Sequence, residues 1–136
     1  MVPGGERAQR PAREVVTVEK VNLAGKLAKF SEHWSPRIVG ELNGQEVRLV
    51  KVQGEFIWHH HEDEDEMFLV LRGRLEVHLR DRTVELEEGE FFIVPRGVEH
   101  KPAAAAEAHV LVFEPVSTLN TGNVRDARTV DAPEIL

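Results

Sequence analysis

The residues best suited to chemistry in this chain are histidines and one glutamate. His59, His60 and His61 form a run, Glu66 follows after an acidic stretch, and His100 lies beyond Pro95-Arg96-Gly97. The three histidines end a stretch that alternates like a β-strand. Successive side chains on a strand point to opposite faces, so His59 and His61 share one face while His60 points away. Two imidazoles on one face, rooted about 7 Å apart by strand rise, can converge on one ion. Glu66 opens the next antiparallel strand, and a tight return can swing its carboxylate to the same point. The bend at Pro95 and Gly97 can bring His100 in as a third imidazole.

Three neutral imidazoles and a carboxylate suit one divalent transition metal ion: iron, manganese, nickel, cobalt, copper or zinc. Four protein ligands leave one or two positions for water or substrate, and an open position marks a catalytic metal rather than a structural one. Such an ion polarises a carbonyl or enolate oxygen, or activates water or dioxygen. No other cofactor is indicated, and the sequence singles out no general acid or base beyond the ligands.

The elements that position these residues are short strands. Arg37–Leu42 and Gln45–Val52 flank Asn43-Gly44, the strongest two-residue hairpin signal. Further strands are expected over Glu55–His61, Glu66–Arg72, Arg74–Arg80, Thr83–Leu86, Phe91–Val94 and His109–Glu114, with Lys101–Ala108 as a loose connection. Before them, Leu23, Leu27 and Phe30 recur at helical spacing after Asn22, a suitable N-cap; Ser35-Pro36 stops the segment. Gly25 limits the expected helix to two or three turns. The spacing therefore predicts an all-β barrel or sandwich with a short N-terminal helix. Residues 1–21 read as an N-terminal arm, 22–114 as the barrel with its leading helix, and 115–136 as a tail that wraps the barrel or stands free.

Composition narrows the function. The 136 residues fit one domain, and a formal charge of −7 argues against a duplex-binding protein, which needs clustered Lys and Arg. With no cysteine, disulfides, thiolate metal sites and thiol nucleophiles are excluded. No apolar run has the length of a membrane span, and the start does not read as a secretory signal. The expectation is a cytoplasmic protein that binds a small-molecule ligand or substrate and no nucleic acid or membrane.

Two motifs carry a resemblance. Gly54, His59, His61, Glu66 and Gly73 resemble the first cupin motif, G(X)5HXH(X)3,4E(X)6G, with Gly54 one residue closer to the first histidine than usual. Gly89, Pro95, Gly97 and His100 resemble the second, G(X)5PXG(X)2H(X)3N, whose final Asn is Ala104 here. The resemblance covers residues 37–114. It implies an RmlC-like jelly-roll barrel, a metal held by His59, His61, Glu66 and His100, and a homodimer that covers open barrel edges. The chain looks most like small stand-alone cupins often labelled mannose-6-phosphate isomerase-like. Cupins with this ligand set include oxygenases, decarboxylases, isomerases and lyases, so the fold does not choose the reaction. A metal-dependent enzyme acting on a small oxygenated metabolite is the leading reading. A non-catalytic metal or small-ligand binding protein is the alternative.

Other residues have plainer readings. Glu62 to Asp65 read as a solvated turn. His33, His78 and His109 read as ordinary structural histidines, and Phe56 and Trp58 as core or a subunit contact. Lys51, Arg48 and His78 reach the cavity only if strand register turns them inward. Alternation yields a direct test by metal analysis. Alanine at His59, His61, Glu66 or His100 should strip most of the bound metal, while His60→Ala should leave it nearly unchanged. Loss of metal in His60→Ala with retention in His59→Ala would contradict the assigned faces.

Overall fold

The computed structural model describes residues 18–136; most of the expected N-terminal arm lies outside the described residues. Helix α1 (Leu23–Leu27) precedes eight strands: β1 (Arg37–Leu42), β2 (Gln45–Glu55), β3 (Glu66–Arg72), β4 (Leu75–Leu79), β5 (Thr83–Leu86), β6 (Phe91–Val94), β7 (His100–Pro115) and β8 (Glu134–Ile135). The sheet runs β5-β4-β7-β2-β1-β8, with β3 joining β7 to β6, and the fold is an all-β jelly roll. Among the described residues no helix is long and apolar enough to cross a membrane.

Strand β7 is the spine. One edge follows β2 from Gln45↔Pro115 to Glu55↔Ala103. The other edge changes partner, pairing first with β4 (Leu79↔His100 to Glu76↔Ala103) and then with β3 (Arg72↔His109 to Met67↔Phe113). This corrects the expected loop at Lys101–Ala108, which is continuous strand. Alanine has low strand propensity, but small side chains fit where the strand crosses between neighbours, and pairing overrides propensity.

Two other expectations change. The strand expected over Glu55–His61 is absent, because β2 shifts register between Val52 and Gly54 and ends at Glu55. Helix α1 has five residues rather than two or three turns; its N-cap is Asn22, whose side chain accepts from the Gly25 amide at 2.8 Å. Asn43 and Gly44 close the β1–β2 hairpin with φ of 52° and 80°, the doubly positive pair that a tight two-residue hairpin turn requires.

Period-two alternation sorts the side chains. On β2, β3 and β7 the residues Val50, Val52, Phe68, Val70, Val110 and Val112 point into the barrel, joined there by Leu75, Val77, Leu86 and Val94. On the outer face, Leu27 and Phe30 pack with Val39 and Leu49. The same parity turns polar side chains inward at one end of the barrel: Glu46 and Arg48 from β2, Glu66 from β3 and Glu114 from β7, all buried.

Arg48 neutralises part of this interior and anchors the C-terminal segment. Its guanidinium lies 2.8 Å from Glu46 Oε1 and 2.8 Å from Glu114 Oε2. It also donates to the carbonyls of Thr118 at 3.0 Å and Val116 at 3.4 Å. From there the chain wraps the barrel, as one of the two expected tail arrangements had it. β8 pairs in parallel with β1, and the Leu136 amide donates to the Ile38 carbonyl at 2.9 Å. Removing Arg48 would leave two buried carboxyls without their cation. Arg48→Ala should therefore lower unfolding free energy by about 3–5 kcal/mol in urea denaturation. A loss below about 1 kcal/mol would show that the buried pairings contribute little.

Candidate metal centre

The site is assembled by a reciprocal pairing of the two histidine segments. The His59 amide donates to the His100 carbonyl at 3.0 Å and the His100 amide to the His59 carbonyl at 2.9 Å. This isolated antiparallel bridge survives although the chain has left β2. The Gly97 amide donates to the His61 carbonyl at 2.7 Å, and the Arg96 amide to Asp65 at 2.8 Å. The Pro95–Gly97 bend is thereby pinned to the acidic loop. Asp65, expected to be merely solvated, is a fastening point, and its pairing with Arg96 holds its carboxyl below the usual range.

Within this frame His59, His61, Glu66 and His100 come together, all four buried, with one ligand-type atom of each lying within 4.8 Å of the others. The rings of His59 and His100 lie 4.3 Å apart. The Nδ1 of His59 is 2.9 Å from the Ile57 carbonyl and that of His100 is 2.9 Å from the Val98 carbonyl. A carbonyl only accepts, so each Nδ1 carries hydrogen, and it is the Nε2 of each ring that can offer a lone pair to the site. Such second contacts are the usual means of fixing a metal-binding tautomer.

The centre lacks positive charge where it is needed. Glu66 Oε1 lies 3.2 Å from His100 Nε2 and 3.3 Å from His61 Nε2. Neither ring nitrogen of buried His61 has a hydrogen-bond partner, the 3.3 Å approach being off-angle. Nitrogen lone pairs facing a carboxylate repel unless a cation or proton lies among them. A divalent ion fits this donor set, and these residues could hold one.

The remaining histidines lie elsewhere, as expected. His60 points away and pairs with Glu62 at 3.0 Å. His33 and His109 both contact Glu107, and His78 contacts Thr83 and Glu76. Of the three residues whose inward reach depended on register, Lys51 points outward and donates to the Phe30 carbonyl, while Arg48 is inside but fully engaged.

The sequence reading missed three features of the site. A cavity of about 50 Å³ lies beside the centre and is lined by His59, Glu66 and Glu114. Phe56 lines it too, because the chain leaves the ladder after Glu55 and strand parity no longer applies; Trp58 instead sits outside under Arg80, 3.8 Å from its ring. The C-terminal segment is the third feature. Asn123 clasps the backbone of His60 through two hydrogen bonds of 2.8 and 3.0 Å. Beside it Gly122, at φ 58°, approaches so closely that a Cβ there would stand 2.2 Å from the His60 carbonyl oxygen. Parity with Val110 and Val112 would have flagged Glu114, but no sequence signal links Gly122 to His60.

Comparison with known proteins fits this geometry. A family model described as "Cupin domain" matches residues 46–114, about half of the chain. The chain belongs to the cupin family. A crystal structure of a cupin-2 domain containing protein from Shewanella frigidimarina is 45% identical, with a TM-score of 0.69, and the match covers 70% of this chain and 93% of that one. Protein NMB1881 from Neisseria meningitidis is 31% identical, with a TM-score of 0.66, covering 71% and 99%. The uncharacterized protein YdbB of Bacillus subtilis is 39% identical over 81 residues, 59% of this chain and 72% of that protein.

Electrostatics divides the polar groups of this cupin site. Burial, and then the neighbouring charge of His100, lowers His59 to about 4, so it is neutral at ordinary pH. Burial also works against His61, but attraction by the Glu66 carboxylate outweighs it and raises the imidazole above its usual value. Glu66 would itself be raised by burial, yet contacts with Glu114, His100 and His61 hold it well below the carboxylate range. Glu114 goes the other way. Burial, then the charge of Glu66, pushes it well above that range against the pull of Arg48. The two adjacent carboxyls are thus pushed in opposite directions, Glu66 toward its ionised form and Glu114 toward its protonated one.

A metal bound here would compete with protons chiefly at His61, whose imidazole is held above its usual value, whereas His59 is already deprotonated. With His61 raised above about 6.5, protons compete increasingly with metal as pH falls through that value. Metal stabilises by mass action, so the melting-temperature difference with and without chelator should be large near pH 7.5 and shrink by about pH 5. An equal difference at both pH values would contradict histidine ligation.

Proposed function

We propose that this cupin is a metal-dependent enzyme acting on a small oxygenated molecule, with one divalent transition metal held by His59, His61, Glu66 and His100. The reaction type is that of an oxygenase, isomerase, decarboxylase or lyase. One observation carries the reading: two of the four residues, His59 and Glu66, line a cavity. An ion among them would face open volume, the arrangement of a catalytic centre rather than a closed structural one.

When bound, such an ion would supply Lewis acidity toward a ligand oxygen. The chain supplies the rest. His59 and His100 are fixed in orientation by the Ile57 and Val98 carbonyls. Phe68, 6.1 Å from the His100 ring, lines the same cavity and gives it an apolar wall beside the site. Glu114 lines the cavity, and burial beside Glu66 favours its protonated form, making it the candidate acid or base that the sequence did not reveal.

The core is apolar and independent of the centre, being built from residues such as Val70, Val77 and Val110. The chelated protein should therefore keep a strand-rich circular dichroism spectrum and melt at lower temperature. Cobalt-substituted protein should change its visible bands when small oxygenated ligands are added, and candidate substrates can then be screened for turnover and oxygen uptake. If chelation unfolds the chain and no ligand alters the cobalt bands, the protein is better described as a non-catalytic, metal-stabilised binding cupin.

A further inference from the structure

From the cavity walls we infer the substrate class: a small flat molecule with an uncharged apolar body and an oxygen-bearing head, to the exclusion of phosphorylated compounds. This inference rests on the metal-centre reading above and adds what the centre accepts.

One wall of the cavity is aromatic, and its Phe56 ring meets the His59 ring edge-on at 5.5 Å. Trp34 and Phe56 both line the cavity, stacked at 4.8 Å with ring planes 18° apart. Trp34 holds φ at 59°, a left-handed conformation that bulky residues rarely adopt. Two bonds lock it there: its amide donates to the Lys51 carbonyl at 2.8 Å and its indole Nε1 to the Gln53 carbonyl at 3.0 Å. Backbone strain kept in place by such restraints is found preferentially at ligand sites. Much of the remaining lining is aliphatic, with Val50, Val52 and Leu75 among it. These surfaces favour a flat, apolar ligand body.

The other end is oxygen-rich. Glu114 is buried; Arg48 holds its Oε2, but its Oε1 has no hydrogen-bond partner. A buried polar atom left unpaired is costly, and a ligand hydroxyl reaching the centre would satisfy it. The volume of about 50 Å³ holds roughly three to five waters, about what one small ring displaces.

Charge excludes phosphate. Among the described residues no lysine or arginine lines this cavity. The nearest cation, Arg48, is spent on Glu46, Glu114 and two carbonyls. Even with a divalent ion at the centre, a phosphate dianion would lose its water beside the carboxyls of Glu66 and Glu114, with no side-chain cation to share its charge.

The test uses full-length cobalt-substituted protein and three probes, at concentrations that leave the cobalt bound. Maltol is a flat hydroxyketone, acetohydroxamate a chelator without a ring, and phosphoglycolate a small phosphorylated acid. Maltol should shift the visible bands, and phosphoglycolate should not at about a hundredfold higher concentration. Trp34→Ala should weaken maltol between about two- and twelvefold, the range expected for one aromatic contact, and leave acetohydroxamate unchanged. Trp34→Phe should restore maltol binding. Should Trp34→Ala fail to fold, Phe56→Leu makes the same comparison. Phosphoglycolate binding at maltol's concentration, or equal weakening of maltol and acetohydroxamate in the variants, would overturn the inference while leaving an open metal centre intact. Cobalt bands that none of the three probes moves would overturn the open centre, and this inference with it.

Discussion

The register of β7 is the constraint on which the fold and the site both depend. Its residues pair with β2 along one edge and with β4 and β3 along the other, so no part of it can slide alone. A slip of one residue would turn Val110, Val112 and Glu114 outward and expose the barrel core. It would also separate His100 from His59, its bridge partner, and from Glu66 at the start of the adjacent strand β3. Core packing and ligand convergence are thus enforced by the same ladder. A strand fixed on both edges gives the imidazoles a rigid support that a loop would not.

A second constraint is the polar load that this barrel carries inside. Glu46, Glu66 and Glu114 are buried with Arg48 as their close cation, and Glu46 and Glu114 stand directly opposite in register. Like charges in that position repel. The structure lowers the cost by bonding Arg48 to both, and burial pushes Glu114 toward its protonated form. The same arginine binds the carbonyls of Val116 and Thr118, which starts the C-terminal segment toward Gly122 and Asn123 and their contact with His60. Charge balance in the interior and the backing of the histidine segment are therefore linked through one side chain.

Much of this was legible in the sequence because it depends on local pattern. Alternation placed His59 and His61 together and His60 apart, and Asn43-Gly44 announced its hairpin. The two spaced motifs brought Glu66 and His100 to the same point as the histidine pair. Tertiary context decided what remained hidden. Lys101–Ala108 is strand because β4 pairs with it as far as Ala103 and β2 pairs with Ala103, Ala104 and Ala108, not because alanine prefers that state. Phe56 turns into the cavity because the ladder ends one residue earlier. The strained Trp34 and the close approach of Gly122 depend on contacts across the fold that no periodicity encodes.

Anomalous diffraction from crystals of zinc-loaded protein tests the central claim most directly. The account predicts one strong peak about 2.0–2.2 Å from a nitrogen of each of His59, His61 and His100 and from an oxygen of Glu66, with at least one further position facing the cavity and filled by solvent. A peak elsewhere, or an ion at this centre enclosed by four protein ligands with no solvent position, would contradict it.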